Sequence, residues 1–508
     1  MVILHQFSIF FTNLFQIISS PFLLFILFGS TLLGIIFGAL PGLTATLGVA
    51  LLTTLTYGMT TQGAMVALMG IYVGAVYGGS YGSIMINIPG TAAAAATALE
   101  GYPMALRGEA GRALGLTTTS SAIGTFVGMM FVVIFTPLIA ALALQFTSFE
   151  FFLLAFFGIM ISGSISCPDT VQKGWITGFL GLFLAMVGRD QLQVYPRFTF
   201  GMMHLESGIE IVPVLIGAFG IPQIIQVLKD KQMVAEPAKV NRILPSFSAI
   251  GKNIKHIVRS ALIGVGIGAV PGIGEDIAGW VSYGTAKKTS KHPELFGTGF
   301  EEGIIASETA NNSCIGGAMI PLLSMGIPGS PPAAMLLGAL MLHGVAPGPM
   351  LEIEHPGFIT SISAILLLAS IAMWVVGMLL AKQVVKLLKV PPALFMPVVA
   401  VLCLIGSYAL GLKIFNLYLM IPMGILTYYL TNMGYPIPPL VIGVILGSMA
   451  DANLRRGLMV SRGSLMPFFT RPVALILLLI IIFTFVGNTE VYKNFIGKVF
   501  KKKKTTEE

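Results

Sequence analysis

Proline and glycine interrupt the apolar segments of this chain in a repeated pattern, and this feature limits its fold more than any other. GIIFGALPG at Gly34–Gly42 matches GVGIGAVPG at Gly264–Gly272, an offset of 230 residues from 34 to 264. SIMINIPGT at Ser83–Thr91 pairs with LLSMGIPGS at Leu322–Ser330, an offset of 239 from 83 to 322. Each half thus carries two Pro-Gly breaks in the same order. Proline removes a helix donor and clashes with the preceding turn. Glycine accepts backbone angles that other residues avoid. In lipid, backbone groups freed in this way are tolerated only where protein or a watery cavity covers them. Paired interrupted segments in two halves point to a binding site near the membrane midplane.

The membrane reading comes from the runs around the breaks. Charged residues are 10% of the 508 and apolar residues 55%, against about 25% charged in an ordinary soluble domain. Phe22–Gly38, Ala122–Leu144, Ile362–Ala381 and Val473–Val486 are apolar runs, several near the ~20 residues that cross ~30 Å of hydrocarbon. The expectation is an all-α polytopic membrane protein of roughly 10–14 spans or part-spans. Residues 1–20 hold no Lys or Arg, so no signal-peptide n-region is expected. Cys167, Cys314 and Cys403 are far apart and make no metal spacing, and the six histidines make none either.

Charge placement sets the expected sidedness. Lys and Arg gather at 229–259, 287–291, 382–389, 455–471 and 498–504, segments that the positive-inside rule assigns to the cytoplasm. The terminal lysines are then a topology anchor and not a nucleic-acid patch, because no aromatic-interleaved basic surface accompanies them. Lys252, Lys255 and Arg259 precede the second-half break, and Lys287, Lys288 and Lys291 follow it. Residues 260–286 are therefore expected to enter and return as a re-entrant hairpin. The first-half counterpart is flanked by Met1–Phe22 and Thr56–Met65, which hold no Lys or Arg. The loop Glu100–Arg112 carries Arg107 and Arg112, whereas Leu342–Pro356 has Glu352 and Glu354 but no base. The halves are expected to be inverted repeats: 1–228 and 260–490, joined by a basic linker at 229–259 and followed by a basic tail at 491–508.

Polar residues at the breaks are the candidate site. The first half offers Thr44, Thr46, Ser80, Ser83, Asn87 and Thr91; the second offers Ser307, Glu308, Thr309, Asn311, Asn312, Ser313 and Ser330. Their oxygens suit an ion, and helix N-termini at the breaks attract a carboxylate. The plainer reading of each hydroxyl is a back-bonded or interhelical Ser or Thr. Glu308 beside Asn311-Asn312 in an apolar surround is a site for Na⁺ or a proton, or else a cap at a span end. Glu275 and Asp276 suit capping of the helix that starts there. Glu150 and Asp169 fall at span edges and are expected to be interfacial. Arg455, Arg456 and Arg462 suit topology, or contact with an anion at a cytoplasmic exit. The glycine rows Gly34/Gly38/Gly42, Gly70/Gly74/Gly78 and Gly264/Gly268/Gly272 have the spacing of close helix packing. The run at Gly264–Gly274 lacks the G-K-[ST] ending of a nucleotide loop.

Long motifs carry a family resemblance. GALPGLTATLGVALL at 38–52, the stretch from GIYVGAVYGG to GRALG at 70–115, GAVPGIG and SYGTAKK within 268–288, and EEGIIASETANN through GVAPGP within 301–349 resemble the TctA family. That family is the large membrane subunit of the tripartite tricarboxylate transporters. The resemblance continues through NLRRGL at Asn453–Leu458 and Arg471-Pro472. It implies a secondary transporter that imports citrate, another tricarboxylate or a dicarboxylate, driven by Na⁺ or H⁺. It implies a periplasmic solute-binding protein (TctC-like), a small membrane subunit (TctB-like) and a multi-pass place in the bacterial inner membrane with a cytoplasmic C-terminus. No cofactor, no metal beyond Na⁺ and no nucleic acid is expected, and self-association stays open. The expected solute contacts are Ser80, Asn87, Pro89, Gly90, Thr91, Asn311, Asn312, Gly326, Pro328, Gly329 and Ser330. The expected ion contacts are Thr44, Thr46, Glu308 and Asn312. Glu100 stands where the family usually has Asp, and Glu275-Asp276 stand where small residues are commoner. The alternatives are an ion-uncoupled anion channel and an intramembrane enzyme, the latter without HExxH, GxSxG or a Cys–His constellation to support it.

Overall fold

The computed structural model describes residues 2–190, 192–229, 237–238, 240, 243, 247–409 and 411–487. The expected tail at 491–508, and most of the expected linker between 230 and 246, lie outside the described residues. The chain begins with α1 (Val2–Ile18), α2 (Pro21–Ala39), α3 (Ala45–Leu55), α4 (Thr61–Ile86), α5 (Ala95–Leu106) and α6 (Ala110–Ala143). Next come α7 (Ser148–Ser166), α8 (Val171–Ala185), α9 (Met203–Glu206), α10 (Ile211–Lys229), α11 (Phe247–Lys252) and α12 (Ile254–Gly268). Then follow α13 (Glu275–Thr289), α14 (Glu301–Met325), α15 (Pro331–Leu342), α16 (Leu351–Glu354), α17 (Phe358–Leu379) and α18 (Ala381–Leu387). The last are α19 (Met396–Ala409), α20 (Phe415–Asn432), α21 (Pro438–Val460), α22 (Pro467–Thr470) and α23 (Pro472–Gly487). Among the described residues seven helices are long and apolar enough to cross a membrane, and four shorter apolar helices accompany them. The chain is an all-α polytopic membrane protein, as expected.

Contacts divide the chain into two compact units: Met1–Leu144 with Glu210–Tyr429, and Gln145–Ile209 with Leu430–Glu508. Each unit draws on both halves of the sequence.

The first unit is built around the breaks. Ser20 accepts from the Leu23 amide at 3.3 Å and Pro21 occupies the first turn of α2, a helix start with a cap and a preset φ. The helix ends before Pro41. Gly42 turns the chain at φ +90°, and Thr44 caps α3 by accepting from Leu47 N at 3.2 Å. In the second half α12 ends at Gly268, and Gly272 and Gly274 turn the chain at φ +76° and +72° before α13. The other two breaks share a closure as well. Asn87 (φ 54°) ends α4 and Gly326 (φ 71°) ends α14. Beyond each, an amide reaches back six residues, Ile88 N to Gly82 O and Ile327 N to Pro321 O, both at 3.2 Å. A left-handed residue at the end of the helix is a common stop.

Packing repeats along with the backbone. A Cβ on Gly34 would collide with the Ile71 carbonyl, and one on Gly264 with the Ala310 carbonyl. Gly38 abuts Ala75 and Gly268 abuts Cys314 in the same way. These partners are themselves 239 apart, from 71 to 310 and from 75 to 314. Gly90 lies on the Gly38 carbonyl and Gly329 on the Gly268 carbonyl, so within each half the two breaks touch. The glycine rows are packing surfaces, including Gly74 and Gly78 against the α2 backbone.

The repeats run in opposite directions. The flank before α4 meets a loop free of Lys and Arg, with Thr56 Oγ1 3.2 Å from His343 Nε2. At the other end of α4 the Met85 carbonyl accepts from Ala238 N of the basic linker at 3.1 Å. By contrast α14 begins among bases. Arg107 donates to the Thr298 and Gly299 carbonyls, and Arg112 pairs with Glu301. It ends where Gly348 N donates to Leu323 O at 3.2 Å, in the base-free loop. Arg259 near the start of α12 donates to Thr289 Oγ1 at the end of α13 at 2.5 Å. Residues 260–286 therefore return to the end they left.

The second unit packs α7, α8, α21 and α23. Gly181 of α8 lies on the Leu440 carbonyl and Gly443 of α21 on the Gly178 carbonyl. Phe149 and Phe468 meet edge to face at 4.8 Å in a cluster with Leu153, Ala474 and Ile481. A two-residue hairpin pairs Gly188–Arg189 antiparallel with Pro196–Arg197.

Candidate functional site

The centre of the first unit is the pair α4 and α14. Both are buried along nearly their whole length, although α14 carries Glu302, Glu308, Asn311 and Asn312. A helix buried on every side has no amphipathic face, so its polar residues must find partners inside the protein.

Glu308 has such partners. Its carboxylate is fully buried and accepts from Ser80 Oγ at 2.6 Å, from Thr97 Oγ1 and from Ser121 Oγ at 2.8 Å. Those hydroxyls come from α4, α5 and α6, so three first-half helices hold one second-half carboxylate. Among the described residues no Lys, Arg or His pairs with it. Neutral hydroxyl donors satisfy lone pairs without cancelling charge. One turn on, Asn312 Nδ2 donates to Asn311 Oδ1 at 2.6 Å and its Oδ1 accepts from Thr125 at 3.4 Å. Asn311 Nδ2 donates to the Ala93 carbonyl at 3.3 Å, which ties α14 to the turn just after the Asn87–Thr91 break.

A second group lies beside the Gly326–Ser330 break. Ser330 caps α15 by accepting from Ala333 N at 3.3 Å and stands 2.7 Å from the Tyr72 hydroxyl. Tyr72, on α4, also donates to Glu275. Glu275 does open α13 as expected. Its carboxylate, however, reaches across to Tyr72, and Gly274 holds the cap position.

The other expected contacts are distributed around these two groups. Asn87 is exposed at the end of α4, Pro89 is half-buried and Gly90 is buried. Thr91 is buried, and its hydroxyl has no hydrogen-bond partner. Gly326 is half-buried; Pro328 and Gly329 are buried. Thr44 serves as a helix cap and Thr46 is buried in the first turn of α3. No hydrogen bond joins either to Glu308 among the described residues. Ser83 donates to the Ala94 carbonyl and Ser313 to the Ala261 carbonyl, so both are interhelical, the plainer reading.

Several residues were not singled out from sequence. Thr97 and Tyr72 sit in apolar runs with nothing local to mark them, and Ser121 and Thr125 are not distinguished from the other hydroxyls of 117–125. Glu100 proves to be an anchor, accepting from Tyr283 at 2.7 Å and from the Gly297, Gly299 and Phe300 amides. Glu150 lies in the first turn of α7, at a span edge as expected, and is buried there in a capping box with Thr147 and an ion pair with Arg471 at 2.5 Å. Arg455 pairs with the buried Asp190, which Arg197 joins to Asp451. That ties it to the fold of the second unit.

Comparison with known proteins identifies the family. The sequence matches the Tripartite tricarboxylate transporter TctA family over residues 23–442. An uncharacterized 52.8 kDa protein in the TAR-I ttuC' 3'region of Agrobacterium vitis is 35% identical over 452 residues, 89% of this chain and 90% of that protein. An uncharacterized protein in the TAR-II ttuC' 3'region of the same organism is 35% identical over 212 residues, 42% of this chain and 88% of that protein. No solved structure matches the chain. The family match runs through both pairs of breaks and through every residue around Glu308, and the chain belongs to the tripartite tricarboxylate transporter TctA family.

Proposed function

We propose that the chain is the large permease subunit of a binding-protein-dependent secondary transporter. It imports a tricarboxylate such as citrate, or a dicarboxylate, by symport with Na⁺ or H⁺. It resides in the bacterial inner membrane with its C-terminus in the cytoplasm. A periplasmic solute-binding protein and a small membrane subunit are its partners. The observation that carries this reading is the buried Glu308 carboxylate, held by hydroxyls of three helices from the opposite half and by the Asn311 amide, with no basic partner among the described residues. An intramembrane carboxylate without a basic partner is costly to keep and suits a coupling ion. The solute's own carboxylates are assigned to the breaks. There the chain enters a helix at Thr91 and at Ser330, two hydroxyl residues that follow the Pro-Gly pairs. The exposed Asn87 amide and the unpartnered Thr91 hydroxyl supply further polar groups.

Reconstitution with the cognate binding protein and small subunit tests this. Radiolabelled di- and tricarboxylates are offered at varied Na⁺ and pH. Saturable uptake that needs one of the two ions supports the reading. Conductance without saturation, or uptake of no carboxylate, overturns it.

A further inference from the structure

Glu275 is a buried carboxylate that the solute and ion contacts above leave unused. It is 3% exposed, opens the second-half hairpin helix α13, and lies beyond two left-handed glycines, Gly272 and Gly274. Its side-chain hydrogen-bond partners are hydroxyls, and its own backbone amide also donates to it. Tyr72 of α4 donates to it, and Ser330 stands 2.7 Å from Tyr72 while capping α15. The three groups therefore join the first half, the second-half hairpin and the second-half break at one point. An ion in such surroundings carries a penalty of several kcal/mol unless its partners compensate. Among the described residues it has no ion pair.

The surrounding titratable groups are few. Tyr72 faces it from α4, Cys314 from α14, and Asp276 follows it on α13 in an exposed position. The charges of the neighbouring elements are gathered at the other end of the hairpin. There His256 and Arg259 of α12 meet Glu302 of α14, and Glu100 of α5 is held by Tyr283 and backbone amides. Among the described residues no cation faces Glu275; its own amide at the start of α13 and the Tyr72 hydroxyl are what favour its charged form.

Hydroxyls donate and accept equally well, so the relay is satisfied in both protonation states. With Glu275 ionised, Tyr72 donates to the carboxylate. With Glu275 neutral, its own O–H donates to the Tyr72 oxygen, and the Tyr72 hydroxyl turns to Ser330 Oγ. We infer that Glu275, with Tyr72 and Ser330, forms a proton-binding site separate from the Glu308 cluster, loaded and unloaded during transport. Loading replaces a charge-assisted bond with a neutral one, roughly half as strong, and loosens the hold of α4 on the hairpin. The inference rests on the reading of the chain as an ion-driven transporter.

Two measurements on the full chain test it. The first is the pH-difference infrared spectrum of the purified protein, which needs no solute. Acidification brings up the C=O stretch of protonated carboxyl groups. One component should vanish in Glu275→Gln and shift in frequency in Tyr72→Phe. A merely structural Glu275 would leave the band unchanged in both variants, and that result overturns the inference. Should Glu275→Gln not fold, the Tyr72→Phe shift decides alone. The second is solute accumulation in proteoliposomes against an imposed pH gradient. Glu275→Gln should lower the accumulation ratio about tenfold for each unit of gradient, the factor that one proton contributes. An unaltered slope overturns the coupling role even if the infrared band is lost. If no carboxylate is carried at all, the functional reading fails, while the infrared result still decides whether Glu275 binds a proton.

Discussion

At 87–91 the chain leaves α4 through a left-handed asparagine with an exposed side chain, and enters the next helix at a threonine whose hydroxyl meets nothing. At 326–330 it leaves α14 through a left-handed glycine under the Pro347 carbonyl, and enters α15 at a serine engaged by Tyr72 and by Ala333. Backbone and closing hydrogen bonds match, while the side chains do not. Two copies of one hinge have taken different work: the first presents polar groups, and the second is tied down beside Glu275.

That contrast can be broken in several ways. The largest effect is expected where the halves meet. Asn312→Ala and Glu308→Ala should reduce uptake to background while membrane levels stay normal, read by transport assay and immunoblot. Normal uptake in both would detach the cluster from transport. Next come the paired hinge variants. Asn87→Gly keeps the left-handed turn and removes only the amide, so uptake should fall to background with folding intact. Gly326→Asn also keeps a tolerated φ, but its Cβ would meet the Pro347 carbonyl at 2.9 Å, an overpacking that costs about 1–3 kcal/mol. Thermal unfolding in detergent should separate the two. Ser330→Ala removes a cap worth about 1 kcal/mol and should lower the unfolding temperature. Thr91→Val is the smallest change, neutral to slightly stabilising, because it removes a buried hydroxyl that has no partner. It should raise the apparent KM for the carboxylate, and an unchanged KM would remove Thr91 from the solute path.

The hinges were legible in the sequence because Pro-Gly carries its own backbone geometry, and repeating it at 230 and 239 residues excluded an isolated kink. The gathering of charge was legible because lysines and arginines cluster: Arg107, Arg112 and Arg259 do meet at one end of the first unit. The core of the site was half legible. Glu308, Asn311 and Asn312 stand out as polar residues in an apolar run. Thr97 and Ser121 do not, since a hydroxyl in a buried helix is usually satisfied by its own preceding turn, as Thr119 is by Gly115. Which way a helix is rotated depends on packing, here on glycines such as Gly124 and Gly128 that set α6 against α14. One sequence does not encode that partner visibly. The burial of Glu150 was not legible for the same reason: its partner Arg471 lies 321 residues away.

The opposed direction of the two hinge-bearing repeats is the claim on which the rest depends. Single cysteines at Thr60 and Lys288, both exposed, in a chain lacking Cys167, Cys314 and Cys403, test it directly with a membrane-impermeant thiol reagent. The account predicts labelling of one from outside the cell and of the other only after the membrane is opened. Labelling of both from the same side would contradict it.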